Sequence, residues 1–391
     1  MTQSAPNFGA GGRSPRRFLR GLLTRWLARP VRRGQNARSF AVAIVKLDRL
    51  GDFVLAVSAI RRVVEKHGAD RCLLVVSPQA EPLAAAEFPD VARLTLPAAV
   101  GHRRLLAAGR AARAKLAGVA CAEAICFRQQ RWDWDELVLL WLGAARCHVL
   151  DDAPGRDYFA ARNTFRFSAA RRVTFSDEAG GTIGTGAEFC RELAMHRQLL
   201  GAALGDEVPA EAVLPCFARL GGDRSRGGIA VLPFGSVAIR DFPEPLLVAA
   251  LREARRASAA PIALHGDAGQ RARLLARAGR LRAAGIVDVA CAAPMDVVEF
   301  AGAIAGADLV ITVETSAAHL ATAFDRPAVV LIGGGNYGQF GPWRRSARQV
   351  WVTHEIDCFG CGWRCVQPEP YCLTRIASAA VESAVARVIS T

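Results

Sequence analysis

The segment Glu314-Thr315-Ser316-Ala317-Ala318-His319 follows the apolar run Leu309–Val313 and leads into Leu320, Ala321 and Ala323. The run reads as a buried parallel strand and the continuation as a helix. At such a junction, free backbone N–H groups and the positive end of the helix dipole can hold an anion. Thr315 and Ser316 add hydroxyls, and Glu314 can accept hydrogen bonds from sugar hydroxyls. Taken alone, the segment also reads as a capped crossover helix with His319 a satisfied histidine. Lys46-Leu47-Asp48-Arg49-Leu50-Gly51-Asp52 is a second junction of the same kind, between a strand (Phe40 to Val45) and a helix (Phe53 to Glu65). Asp52 sits where loop residues face a cleft at the carboxyl ends of strands, a position suited to a general base. It reads equally as a first-turn acid of its helix. A third stretch, Leu232-Pro233-Phe234-Gly235-Ser236 followed by Arg240-Asp241-Phe242-Pro243, again closes a strand.

Together the three stretches resemble glycosyltransferase family 9, the heptosyltransferase-like enzymes of lipopolysaccharide core biosynthesis. The resemblance rests on Lys46, Gly51-Asp52 and Ala59-Ile60; on Pro233 to Ser236 with Arg240 and Pro243; and on Val313 to Ser316, Ala317 and His319. The motifs fall in family order and span roughly residues 40 to 390. The resemblance implies that Asp52 is the base and that Glu314 contacts the donor sugar. Sugar transfer from a nucleoside diphosphate needs a base for the acceptor hydroxyl, stabilisation of the departing pyrophosphate, and in-line positioning. Ser236, Arg240 and the amides of Thr315, Ser316 and Ala317 are the candidates for the pyrophosphate, Arg240 because a guanidinium pairs with phosphate in bidentate fashion. His319, Gly333 and Gly334 complete the expected donor side. Lys46, Arg49, Gly51, Arg131 and Asp133 form the expected acceptor side. Three positions depart from the family pattern: Glu314 stands where Asp is common, Arg240 where Lys is, and Phe242 where Trp is. The longer Glu314 leaves open a donor sugar other than heptose.

Two motifs compete with this reading. Gly333-Gly334-Gly335-Asn336-Tyr337-Gly338 fits G-x-G-x-x-G, but Pro342 and Trp343 stand where a dinucleotide fold would continue its helix. Asp133-Trp134-Asp135 fits a metal-binding D-x-D, yet it opens the apolar helix Leu137 to Leu142, where acids cap. Four of the eleven cysteines fall in Cys358-x2-Cys361-x3-Cys365-x6-Cys372. Four thiolates in one loop suit a structural zinc; disulfides, an iron–sulfur cluster and plain thiols are the other readings. Catalysis is expected to need no cofactor.

The 391 residues carry a net charge of +14, almost wholly from arginine. Lysine occurs only at 46, 66 and 115. The basic excess is densest before residue 38, where Arg13 to Arg33 surround Phe18, Leu19, Leu22, Leu23, Trp26 and Leu27 at helical spacing. The segment 1–38 reads as a basic amphipathic helix for an anionic membrane surface, separable from the fold, or as a disordered basic tail. With no recognition module, nucleic acid is not an expected partner. No apolar run approaches the roughly 20 residues of a membrane span, and no signal-peptide pattern is read.

From residue 40 strands and helices alternate, which argues an α/β fold with parallel sheets. The strands expected are 40–45, 72–77, 92–96, 120–126 and 146–149, then 229–232, 261–265, 286–289, 308–313 and 327–332. Residues 150–185 are expected to form a loop region. The domains expected are an acceptor domain at 39–204, a linker at 205–227, a donor domain at 228–373 including the cysteine loop 358–372, and a terminal helix at 374–391. Two Rossmann-like halves facing a cleft make the glycosyltransferase B architecture. The expected activity is inverting transfer of a heptose or similar sugar from a nucleotide-sugar donor to a lipid-linked glycan or lipopolysaccharide-type acceptor. It is placed at the cytoplasmic face of the inner membrane. A nucleotide-dependent oxidoreductase and a non-catalytic nucleotide-sugar-binding protein are the alternatives.

Overall fold

The computed structural model describes residues 15–98, 100–128, 131–151, 171–174, 190–221 and 227–391. The expectations for residues 1–12 and most of 150–185 fall outside them. The chain divides into two compact units, one of 1–47, 67–78 and 91–174, the other of 48–66, 79–90 and 175–391.

The first unit carries six parallel strands, β1 (Arg38–Lys46), β2 (Cys72–Val76), β3 (Ala92–Thr95), β4 (Val119–Cys126), β5 (Arg146–Asp151) and β6 (Arg171–Thr174), in the order β3-β2-β1-β4-β5-β6. Covered parallel sheets bury both faces of their strands, so the central segments β1 and β2 read as apolar runs rather than alternations. All five residues of β2 are buried. The core packs β1 and β4 against Trp134, Leu137, Val138 and Trp141. The Trp134 and Trp141 rings meet edge to face at 5.6 Å.

The second unit repeats the topology with β7 (Ile229–Leu232), β8 (Ile262–Leu264), β9 (Val289–Cys291), β10 (Leu309–Val313), β11 (Ala328–Leu331) and β12 (Gln349–Val352), in the order β12-β11-β10-β7-β8-β9. Numbered within each unit, both sheets run 3-2-1-4-5-6, the doubly wound order. In the second sheet the order reverses between β7 and β10, where Thr312 pairs with Leu232. Every residue of β7 and of β10 is buried. Ligands of such sheets bind beyond the carboxyl ends of the strands at this reversal.

Two expectations change here. Residues 171–174 and 349–352 are strands, the outermost of their sheets at one side. Each is only four residues long, and Arg171-Arg172 and Gln349 break the apolar signal. The strand expected at 286–289 begins instead at Val289, because Ile286 turns its N–H back to Leu281 and closes the preceding helix. Within the second unit, the segment expected as a linker is tied down. The Glu87 carboxylate accepts the backbone N–H groups of Ala218, Arg219 and Leu220 at 2.8, 3.0 and 3.2 Å and pairs with Arg61. Ser58 donates to the Leu214 carbonyl at 2.8 Å. The terminal helix Ser378–Ile389 packs on the helix Glu244–Ala257 and on β11 and β12.

Candidate active site

The carboxyl ends of β7 and β10 deliver the two halves of a charged cluster. Beyond β7, the chain turns through Pro233 to Ser236 into a 3-10 turn, Ala238–Arg240. Asp241 braces the turn by accepting the Gly235 N–H at 3.1 Å. Burial pushes the Asp241 carboxyl up, opposed by Arg273 and by that N–H. Beyond β10, Glu314 and Thr315 lead into the helix Ser316–Ala323. Arg240 donates to both the carboxylate and the backbone carbonyl of Glu314, and to Ser236 Oγ at 3.3 Å. The side chains are 12% and 7% exposed, so the ion pair is largely out of water.

The start of the helix Ser316–Ala323 has no side-chain cap; the Thr315 hydroxyl lies 3.4 Å from that of Thr312. Its first-turn amides and dipole are thus available to an anion. His319, buried, accepts Trp343 Nε1–H on Nδ1 at 3.1 Å. The neutral ring therefore carries its proton on Nε2, which faces Glu314 Oε1 at 3.7 Å. Trp343, His319, Glu314 and Arg240 form one connected row.

The helix Leu50–His67 brings Asp52 to this row. A Cβ on Gly51 would lie 3.2 Å from His319 Cδ2 and 3.5 Å from Ser316 Cα, so the two helix starts approach closely here and a larger residue would press on the His319 ring. Asp52 is half-buried and accepts the Arg49 N–H at 3.2 Å, as an acid in a first helical turn does. Asp52, Arg49 and Gly51 therefore share one compact unit with Ser236, Arg240, Glu314, Thr315, Ser316, Ala317 and His319.

Three expected acceptor-side residues are framework instead, all in the first unit. Lys46 is fully buried and its ammonium bonds the Phe127 carbonyl at 2.7 Å. Arg131 is buried against Glu136 at 3.2 Å and the Leu150 carbonyl. Asp133, 1% exposed, pairs with Arg20 at 2.9 Å. Asp135 accepts the Trp132 N–H at 2.7 Å and so caps its helix, and Arg128 holds its other oxygen. Polar residue types at loop edges suggested a surface here, and internal pairing explains them better.

The glycine-rich loop enters a 3-10 turn, Gly334–Asn336, rather than the α-helix that a dinucleotide site requires. Aromatic rings from the cysteine loop occupy its open faces. A Cβ on Gly333 or Gly335 would lie 2.5 Å from Trp363, and one on Gly334 would clash with Phe359. Arg240 stands 5.3 Å over the Trp363 ring. Trp363 has a left-handed backbone, φ 63°, which is unusual for a bulky residue. Sequence reading missed Trp363 and Trp343. The signal was a lone aromatic inside the Gly-Cys-Gly-Trp run, and a Trp just after Gly341-Pro342. Burial first, then the thiols of Cys361, Cys358 and Cys365, push the Cys372 thiol up, against a hydrogen bond with the Gly334 backbone. The four thiols are thus neighbours. Among the described residues, however, no three His, Cys, Asp or Glu side chains are arranged to hold a metal ion.

Two doubly wound parallel sheets, the second with a charged loop cluster at its strand-order reversal, place the chain in the glycosyltransferase B fold class. Residues 249–362 match the family model described as glycosyltransferase family 9 (heptosyltransferase). That stretch of the second unit is similar to family 9, the heptosyltransferase family. No curated protein matches its sequence. In structure it is similar to E. coli ADP-heptose lps heptosyltransferase II, at 16% identity and a TM-score of 0.61 over 90% of this chain and 99% of that one. It is similar to E. coli heptosyltransferase WaaC with ADP, at 18% and 0.59 over 90% and 100%. A family 9 glycosyl transferase from Veillonella parvula aligns at 11% and 0.63 over 92% and 99%. At these identities the likeness is one of fold.

Proposed function

We propose that this protein transfers a sugar, heptose or similar, from a nucleoside diphosphate donor to a hydroxyl of a lipid-linked or surface glycan, with inversion at the anomeric carbon. The observation that supports this reading is the close approach of Gly51, next to Asp52, to His319 and to Ser316 at an uncapped helix start. Asp52 takes the acceptor proton as the hydroxyl attacks the anomeric carbon. The bond from that carbon to the diphosphate breaks, and the leaving pyrophosphate oxygens are stabilised by Arg240, Ser236 and the Ser316 and Ala317 amides. Arg240 and the helix start supply the positive charge, so the reading requires no metal, and any zinc held by the four cysteines is structural. Glu314 and His319 orient Arg240 and offer their remaining hydrogen-bonding capacity to the donor sugar. The relative structure described with ADP-2-deoxy-2-fluoro heptose makes an ADP-linked sugar the first donor to try. A lipid-linked acceptor of this kind would be met at the cytoplasmic face of a membrane, which is where the reading puts the protein.

The test is Asp52→Asn. Transfer should fall by about 10²- to 10⁴-fold, with ADP affinity near that of the unaltered protein. Turnover at the normal rate would remove Asp52 as the base. A thermal-shift series with ADP, GDP, UDP, dTDP and NAD identifies the donor nucleotide, and a shift with NAD alone would replace the transferase reading.

A further inference from the structure

The basic segment before residue 38 is part of the first unit. In the helix Pro15–Leu27, Leu27 is 1% exposed, and it fits against Gly109, where a Cβ would lie 2.8 Å from Leu27 Cδ2. The Leu27 carbonyl accepts Trp141 Nε1–H at 3.0 Å, Arg113 reaches the carbonyls of Leu27 and Pro30, and Arg20 reaches Asp133 and the Val100 carbonyl. Removing 1–38 would strip β1's first residue and this packing together, so the segment is not the separable one the sequence suggested. Its other face is open. Leu19, Leu22 and Trp26, at i, i+3 and i+7, are each 48% exposed, three of the eight exposed large apolar side chains among the described residues.

The surroundings of that stripe are uniformly basic. Arg25, Arg29 and Arg32 are exposed on its own segment. Arg103, Arg104, Arg110 and Lys115, on or beside the adjoining helix Leu105–Leu116, are exposed as well. Arg110 stands 5.9 Å over the Trp26 ring and joins the two helices. No acidic residue occurs in 13–38 or in 101–118. Two helices with fixed packing thus present a Leu-Leu-Trp stripe inside a field of positive charge.

We infer that this two-helix face docks on an anionic lipid bilayer. Leucine and tryptophan enter the interfacial region, and the surrounding arginines pair with lipid phosphates. The apolar stripe favours a bilayer over a nucleic acid, which would need cations without it. The inference deepens the membrane placement proposed above and rests on that reading for its purpose.

The test is co-sedimentation of the full chain with vesicles of phosphatidylcholine, with and without phosphatidylglycerol, at two salt concentrations. Binding is expected only to the anionic vesicles and should weaken with salt. Leu22→Ser/Trp26→Ser should abolish most of it. Arg103→Gln/Arg104→Gln, which leaves the N-terminal segment intact, should weaken it roughly thirtyfold, about fivefold for each arginine at a lipid surface. Unchanged melting temperatures establish that both exposed pairs are folded. Wild-type failure to bind anionic vesicles overturns the proposal. So does an arginine variant that binds normally, because the segment before 38 would then act alone. Normal vesicle binding by the apolar variant, together with tight binding of a short DNA duplex, would replace the bilayer by a polyanion. An ADP thermal shift on the same samples separates the outcomes: vesicle failure with an intact shift removes this surface and leaves the transferase reading.

Discussion

Replacing Arg240 by Met separates the task the structure shows, holding Glu314, from the one proposed for it, holding the donor diphosphate. The Arg240 and Glu314 side chains are 12% and 7% exposed, so removing one partner leaves a charge that water cannot reach well. Breaking a buried pair in this way costs about 3–5 kcal/mol. His319 Nε2, 3.7 Å from Glu314, offers only part of a replacement, so the lower end applies. A loss of about 3 kcal/mol lowers the melting temperature of a unit this size by roughly 6–12 °C. Methionine keeps the stem packing, so the loss reports charge rather than a cavity. Adding Glu314→Gln removes the stranded charge, and the double variant should regain most of the melting temperature. Nucleotide binding should not follow. Losing a charge-assisted contact to phosphate costs about 1.5–3 kcal/mol, or roughly 10- to 100-fold in affinity, in single and double variants alike. Calorimetric melting and titration with ADP read the two effects separately. A single variant that melts within about 1 °C of the parent would show that the pair is solvated. A double variant that binds ADP like the parent would show that Arg240 serves Glu314 alone.

Two further outcomes concern Trp363, beneath Arg240, and His265, just beyond β8. Trp363→Ala removes the ring beneath Arg240 and should raise the donor KM roughly 2- to 30-fold, from a cation–π contribution of about 0.5–2 kcal/mol, with kcat little changed; Trp363→Phe should restore KM, and a variant lowering kcat alone would mean that the ring acts on the chemistry instead. Burial holds the His265 imidazole below its ordinary 6.5. Between that lowered value and 6.5 the unfolded chain binds more protons than the folded one, so stability rises with pH there and is lost as pH falls through the lowered pKa. Denaturant melts from pH 7 to 5 should show that slope, at most about 1.4 kcal/mol per pH unit, and His265→Gln should flatten it; an unaltered slope would assign it to another group.

Much of this fold was legible because buried parallel strands announce themselves. The apolar runs at β1, β2, β4, β7, β10 and β11 place six of the twelve strands almost to the residue. Short outer strands with polar residues, such as Arg171–Thr174 and Gln349–Val352, carry no such signal, because one side of each makes no demand on the sequence. The catalytic candidates were legible for a related reason. A strand-to-helix junction that carries Gly-Asp, Gly-Ser or Glu-Thr-Ser spends small and polar residues where a plain crossover needs only a cap. What a single sequence does not reveal is which charges find partners inside. Lys46, Arg131 and Asp133 look like cleft residues by type and position, yet the structure pairs all three internally.

The same pairing distinguishes two sheets of one topology. Each reverses strand order between its first and fourth strands, so each has the geometry for a ligand there. In the first sheet the reversal lies between β1 and β4, and the buried Lys46 ammonium crosses it to the Phe127 carbonyl at 2.7 Å, filling the position with a side chain of the protein itself. In the second sheet the corresponding place, between β7 and β10, ends in an exposed Ser236 and an uncapped helix start, with Arg240 held at its edge by Glu314. The second thus presents donors and charge, whereas at the first a side chain of the protein makes the polar contact. The asymmetry follows from which residue ends each central strand: Lys46, whose long stem folds inward, against Leu232 and Val313, which leave the polar work to the loops beyond them.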